Sequence, residues 1–220
     1  MAQRTIPAAT VTFALKASAV SEVLPLFPLG LVLLPGTRVP LHIFEDRYRV
    51  MVAECVENKS EFAMMYGTDD DFRPIGCAAR VTDIVNRFAD GRLNVVIMGT
   101  DRVRLIERHD DKPYISGVIE RVADEAEPPN DALVTETRAR YEEALKLSIG
   151  WLSPSGQAAD PGELSYTIAS ALSLPPDQQQ SLLEQTSIGE RFTIVNTILE
   201  ETLDQLREHS RKTASNGTAH

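Results

Sequence analysis

The stretch LPLFPLGLVLLPGTRVPLHIFEDRY, residues 24–48, contains the most informative pattern of this chain. Its apolar run is interrupted at short intervals by prolines and glycines, at Pro25, Pro28, Gly30, Pro35, Gly36 and Pro40. A helix excludes prolines at this density, because each removes a backbone donor and clashes with the preceding turn. A membrane-spanning helix is excluded too, since no uninterrupted run reaches the roughly 18–20 apolar residues required. The stretch therefore predicts short buried or edge strands that bend at the prolines and glycines.

From Asp46 onward the apolar pattern changes to the period of a helix. The apolar side chains recur at i, i+3, i+4, i+7 and i+8, as Tyr48, Met51, Val52, Cys55 and Val56. This spacing places them on one helical face. Asp46 is suited to cap the start of the helix. The pattern predicts one amphipathic helix inserted among strands.

Strand patterns resume after this helix. Residues 61–66 predict a strand that Gly67 ends, and residues 75–88 predict a longer one. Asp90-Gly91 predicts a tight hairpin turn, because this pair tolerates positive φ. Residues 93–98 predict the returning strand, and Gly99 is expected to allow a bend or bulge. Residues 103–106 and 114–122 predict a further antiparallel pair.

A change of composition divides the chain near residue 124. Residues 124–130, DEAEPPN, lack large apolar side chains and indicate a linker. Beyond it, helical patterns cover residues 131–151, 161–172, 175–184 and 187–208. The predicted organisation is a disordered leader over residues 1–20, a β-rich subdomain over 21–123, a helical subdomain over 131–209 and a disordered tail over 210–220. The fold class is α+β.

Charge and cysteine usage narrow the class of protein. The formal net charge of −10 and the pI near 4.9 argue against nucleic-acid binding, which needs a basic surface. The two cysteines, Cys55 and Cys77, lie in apolar surroundings, which favours reduced core thiols. Residues 1–20 lack the continuous apolar run of a secretory signal. We therefore expect a cytoplasmic protein that binds neither nucleic acid nor membrane; the oligomeric state is not determined by these patterns.

The sequence lacks the familiar catalytic motifs. There is no phosphate-binding loop ending in Lys-Ser or Lys-Thr, no Gly-x-Ser-x-Gly and no His-Glu-x-x-His. His42 is interpreted as a hydrogen-bonded structural residue, with a hydrolase built on it as the alternative. The consecutive aspartates at 69–71 lack the spacing of a calcium loop, which favours a solvated turn. We predict no catalytic residue, no metal site and no cofactor.

One apolar segment is a candidate binding surface. Met64, Met65 and Tyr66 are adjacent, and methionine side chains adapt to varied partners. These three residues are the predicted peptide-binding site. The alternative is that they belong to a core strand.

Several motifs together resemble a known family. They are LPLFPL at 24–29, LPG at 34–36, PLHIFE-x-RY at 40–48, IGCAA at 75–79, DGR at 90–92, G-x-x-RV at 99–103 and SIGER at 187–191. They resemble the N-terminal domain of Lon protease, and above all the short stand-alone bacterial proteins made of that domain. The resemblance implies a β pseudo-barrel with an inserted helix, followed by a helical bundle. The pattern of elements along the chain has the same order.

The resemblance also implies a function. In full-length Lon this domain contributes to substrate recognition, while the ATPase module and the serine-lysine dyad lie in later domains whose motifs have no counterpart here. It therefore implies a non-catalytic module that binds exposed apolar segments or degrons of proteins, protease substrates among them. A β-barrel that binds a small molecule, and an unrecognised hydrolase, are the alternatives.

Overall fold

The computed structural model describes residues 21–149 and 160–216, and this part of the chain contains one sheet and five helices. The strands are β1 (Glu22–Leu29), β2 (Arg38–Ile43), β3 (Phe62–Tyr66), β4 (Ile75–Arg87), β5 (Leu93–His109) and β6 (Ser116–Arg121). The helices are α1 (Asp46–Asn58), α2 (Asp131–Ile149), α3 (Pro161–Ala171), α4 (Pro176–Glu184) and α5 (Ile188–Asn216). The predicted α+β architecture, with one helix inserted among the strands and a helical C-terminal part, is confirmed.

The sheet closes on itself. Its strand order is β2-β5-β4-β3-β1-β6, and β6 also pairs with β5. Five strands therefore form a ring, and β2 pairs with the first half of β5 outside it. One core fills the ring, with a side chain from each of its strands, namely Leu26, Met65, Ala78, Val103 and Ile119. This closure is the predicted pseudo-barrel.

Two features of the sheet add to the sequence-based prediction. β1 pairs in parallel with β3, with Leu26 opposite Ala63, a pairing that the predicted hairpin turns do not indicate. β5 runs from Leu93 to His109, and its register with β4 shifts beside Gly99, since Ala79 lies opposite Gly99 whereas Cys77 lies opposite Arg102. This is the irregularity expected at Gly99. Gly99 is also needed for close approach, since a Cβ there would lie 2.5 Å from the Leu34 carbonyl oxygen.

A second, larger core joins the barrel to the helices. It receives side chains from β1, α1, β3 and β5 and from α3, α4 and α5. α1 buries Tyr48, Met51, Val52 and Cys55, the face that the helical spacing predicts. Cys55 and Cys77 are buried free thiols, as expected, and burial raises the pKa of both. Burying each large apolar side chain stabilises the fold by about 1.5–3 kcal/mol.

The C-terminal helix is longer than its apolar pattern predicts. The sequence predicts a helix end at residue 208 and a disordered tail over 210–220, but α5 continues to Asn216. Residues 209–216 contain neither proline nor glycine, so nothing in the sequence stops the helix after its last apolar contact. The predicted leader over residues 1–20 lies outside the described residues. Among those described, no helix has the length and apolarity to cross a membrane.

Gly36 offers a direct test of the turn that precedes β2. Its φ is +76°, in the left-handed region, and a Cβ there would meet no atom within 4 Å. Replacing it by valine should therefore cost conformational energy alone, and we expect Gly36→Val to lower the free energy of unfolding by about 1–2 kcal/mol in urea denaturation. Gly30→Val is the control, because Gly30 is equally uncrowded and has no positive φ. Equal losses in the two variants would refute the conformational explanation.

Candidate functional site: a cleft at the end of the first strand

A cleft of about 340 Å³ is lined mainly by residues of the stretch 24–48. Its first wall is formed by residues 27–30 at the end of β1. Its second wall is formed by residues 41–45 with Arg47 and Tyr48, where β2 passes into α1. Its third wall is the turn of Gly67, Thr68 and Asp69 after β3. We call this feature the cleft.

The sheet topology brings these three segments together. β1 and β3 are parallel, so the chain leaves both strands at the same end of the barrel. The Gly67 N–H donates to the Leu29 carbonyl oxygen at 3.0 Å and holds the two exits side by side. β2 ends at Ile43 and α1 begins at Asp46, which adds the third wall.

The cleft has an apolar floor and an exposed aromatic rim. Phe27 is 5% exposed and packs on Tyr48, with ring centroids 4.2 Å apart. Phe44 is 60% exposed and stacks on the His42 ring at 6.0 Å. Large exposed aromatic side chains are costly in water and are common at binding surfaces. The cleft therefore combines an apolar floor with an exposed aromatic side chain at its rim.

The charged residues of the motif fix the shape of the cleft. Arg47 forms ion pairs with Glu45, at 2.8 Å, and with Asp69. The Tyr48 hydroxyl donates to Asp69 at 3.0 Å, and burial together with this bond raises the pKa of Tyr48. These contacts hold the turn after β3 against the start of α1. The predicted capping role of Asp46 is not observed, because Glu45 is the N-cap residue and Asp46 pairs with Arg49.

The structure does not bring the predicted Met64, Met65 and Tyr66 together as a surface. Successive side chains of a strand point to opposite faces. Met64 is accordingly 2% exposed in the larger core and Met65 is 0% exposed inside the barrel. Tyr66 is half-buried, and its hydroxyl donates to Asp177 at 3.3 Å. In this conformation neither methionine can contact a peptide, which agrees with the core-strand alternative.

The other predicted residues lie in structural contacts. His42 Nδ1 is 2.6 Å from Asn94 Oδ1, in agreement with a hydrogen-bonded structural histidine. Asp69, from the acidic turn, is occupied by Arg47 and Tyr48. Within residues 21–149 and 160–216, no group of three or more histidine, cysteine, aspartate or glutamate side chains is arranged to hold a metal ion.

Two further motifs meet at a polar junction between the barrel and the helices. Arg102, from G-x-x-RV, and Arg191, from SIGER, are 4% and 0% exposed. Both bind the Asp124 carboxylate, at 2.9 and 2.6 Å, and both donate to the Gln185 carbonyl oxygen, at 2.7 and 2.9 Å. Arg102 also donates to the Tyr166 hydroxyl at 3.2 Å. The junction of Arg102, Asp124 and Arg191 therefore sets how the helices sit on the barrel.

A second cavity, of about 430 Å³, lies between the barrel and the helices. One side is formed by Leu31, Val32, Leu34 and residues 36–39, and the other by Thr167, Ser170 and Gln179. The hydroxyl and amide groups make its helical wall polar. The cleft is the more apolar of the two and carries the exposed Phe44, so it is the stronger candidate for an apolar ligand.

Comparison with known proteins places these features in a family. The family model of the ATP-dependent protease La (LON) substrate-binding domain matches residues 23–201. Lon protease 1 of Hydrogenovibrio crunogenus is 27% identical over 194 residues, which cover 82% of this chain and 24% of that protein. The Lon protease of Roseiflexus castenholzii is 28% identical over 197 residues, with the same coverage of 82% and 24%. The chain thus spans about a quarter of the length of these relatives.

Two solved structures of Lon N-terminal domains have a similar fold. A Lon N-terminal domain protein from Xanthomonas campestris superposes with a TM-score of 0.64 at 25% identity, over 79% of this chain and 96% of that one. The N-terminal domain of a Mycobacterium avium complex Lon protease superposes with a TM-score of 0.65 at 18% identity, over 81% and 98%. The second likeness concerns the fold alone.

Proposed function

Because this chain belongs to the family of LON substrate-binding domains, we propose that it is a non-catalytic recognition module whose cleft binds exposed apolar segments of other polypeptides. The observation that carries the proposal is Phe44, 60% exposed at the rim of an apolar cleft and part of the stretch PLHIFE-x-RY. An unfolded protein or a degron supplies the matching chemistry, since it presents leucine or phenylalanine side chains that a native fold buries.

The size of the cleft favours weak, adaptable binding. Its volume of about 340 Å³ is at the low end for ligand sites and suits one or two large side chains. Burying one such side chain contributes about 1.5–3 kcal/mol, from which the ordering of the peptide must be subtracted. Binding of this strength suits a module that samples many sequences and releases them.

The polar groups of the cleft support a role without catalysis. Glu45 and Asp69 are each bound to Arg47, and His42 is bound to Asn94. A general base or nucleophile needs a partner within reach of the substrate, and these groups are held in structural contacts. Protease substrates in the cytoplasm are the partner class that we propose.

Nothing in the barrel favours the small-molecule alternative. The ring is filled by apolar side chains from all five of its strands, so its interior is a packed core. A ligand there would have to displace these side chains.

The test is binding of a fluorescein-labelled 15-residue peptide that carries leucine and phenylalanine in a glycine-serine background. We expect Phe44→Ser to weaken binding at least five-fold, because the peptide loses its aromatic partner. Ile106→Ser is the matched control, since Ile106 is 56% exposed on β5 and does not line the cleft. The proposal fails if the unaltered protein does not bind the peptide, or if both variants bind it equally well.

A further inference from the structure

Three strands of the sheet present an uncovered face. β2, the first half of β5 and the second half of β4 are paired so that Arg38, Met98 and Arg80 lie opposite one another. The next row on the same face contains Pro40, Val96 and Asp83. We call these six residues the outer face.

The opposite side of these strands is covered, which leaves the outer face as the open one. Val95 and Ile97 of β5 are 1% and 0% exposed and belong to the larger core. Val96 and Met98, which alternate with them, are only partly buried, and the other four residues of the outer face are exposed. An alternation of this kind is expected when one face packs on the core and the other meets solvent or a partner.

The charge of the outer face is opposite to that of the chain. Among the described arginines whose contacts are given, most form ion pairs, while Arg38, Arg80 and Arg87 form none within 4 Å. Arg80 interacts electrostatically with Glu61, but that carboxylate is bound by Arg121 at 2.6 Å. Asp83 is the single carboxylate on the outer face. The face therefore carries two unpaired cations in a protein of net charge −10.

We propose that the outer face docks an acidic, amphipathic helix of a partner polypeptide. Arg38 and Arg80 are two strand spacings apart, about 10 Å. Two acidic residues seven positions apart on one side of a helix are separated by about 10.5 Å, which matches this distance. Guanidinium groups bind carboxylates through paired hydrogen bonds. The apolar side chains between the two acids would then lie on Met98, with Val96 beside it in the next row.

Nucleic acid is a poorer occupant of the same face. Phosphate binding needs several cations, and here Asp83 lies in the row next to the two arginines. The docking proposal is also independent of the proposed function, because the outer face and the cleft use different residues.

The probes are two labelled helical peptides that differ only at two positions. One carries glutamate at positions i and i+7 with leucine at i+3 and i+4, and the other carries lysine in place of the glutamates. At low salt, where surface charges are least screened, we expect the glutamate peptide to bind at least five-fold more tightly. The double variant R38E/R80E should reverse this preference.

A matched variant separates the effect of the position of the two charges from the effect of the protein's net charge. K146E/R207E makes the same change in charge on α2 and α5, and it should leave the five-fold preference intact. Phe44→Ser should leave it intact too, which separates this surface from the cleft. All substituted side chains are at least partly exposed, so we expect every variant to fold. A cooperative thermal denaturation curve checks this for each variant.

Three results would overturn the proposal. The first is equal affinity of the unaltered protein for the two peptides. The second is an equal loss of preference in R38E/R80E and K146E/R207E. The third is self-association that R38E/R80E abolishes, measured by sedimentation, because it would assign the outer face to a second copy of the chain.

Discussion

Asp124→Asn is expected to lower the free energy of unfolding by about 3 kcal/mol or more. The substitution leaves the buried guanidinium groups of Arg102 and Arg191 without their shared anion, and breaking a buried ion pair typically costs about 3–5 kcal/mol. Urea denaturation at neutral pH measures the loss. Asp110→Asn is the control, because the Asp110 side chain is 62% exposed in its pair with Arg108. Removing an exposed pair costs at most about 1 kcal/mol.

The same junction predicts a dependence on pH. Partial burial alone would raise the pKa of Asp124, but Arg191 and Arg102 outweigh it and hold that pKa below its ordinary value. A carboxyl group with a lowered native pKa stabilises the fold above its unfolded pKa, near 3.9, and loses this contribution as the pH falls through the native pKa. The stability difference between the native protein and Asp124→Asn should therefore shrink below about pH 4. A difference below about 1 kcal/mol at neutral pH would refute the role given to Asp124.

Gly99→Ala is expected to lower the free energy of unfolding by about 2–3 kcal/mol. The new Cβ would lie 2.5 Å from the Leu34 carbonyl oxygen and 3.0 Å from Cys77 Sγ. Two backbone hydrogen bonds hold the turn at Leu34 against β5. The Gly36 N–H donates to the Gly99 carbonyl oxygen at 3.0 Å, and the Gly99 N–H donates to the Thr37 carbonyl oxygen at 2.9 Å. Overpacking against fixed backbone costs about 1–3 kcal/mol and sometimes more.

A second glycine gives the comparison for this prediction. Gly189 lies in the first turn of α5, and a Cβ there would make ordinary contacts, the nearest at 3.8 Å from Ser187 Oγ. Gly189→Ala should stabilise the protein by about 0.4–1 kcal/mol, because alanine loses less backbone entropy in a helix. Replacing glycine by alanine is thus expected to lower the free energy of unfolding at position 99 and to raise it at position 189. An unchanged free energy of unfolding in Gly99→Ala would show that the turn at Leu34 moves to make room for the new Cβ.

The sequence predicts those features of the fold that depend on neighbouring residues. The prolines and glycines of residues 24–48 indicate bent strands, and the spacing from Tyr48 to Val56 indicates α1, because both signals are local. The parallel pairing of β1 with β3 joins residues about 37 apart and has no local signal. The positions of Met64 and Met65 have no local signal either, because an apolar run does not show which of the two cores each side chain enters.

The candidate site was harder to predict than the fold. The cleft combines segments near residues 28, 44 and 68, which only the closed barrel brings together. One signal was available, namely an aromatic residue, Phe44, directly before the charged Glu45-Asp46-Arg47. The junction is similar, because Arg102 and Arg191 are recognisable in motifs, while their common partner Asp124 lies in a segment that indicates a linker.

Photo-crosslinking from within the cleft measures whether it contacts apolar polypeptide segments. Phe44→p-benzoylphenylalanine is irradiated with the biotinylated form of the leucine-phenylalanine peptide, and Ile106→p-benzoylphenylalanine is the control on β5. We predict a crosslink from position 44 that unlabelled peptide competes away, little from position 106, and recovered free peptide of unchanged mass. Equal crosslinking from both positions, or crosslinking from position 106 alone, would contradict the proposal.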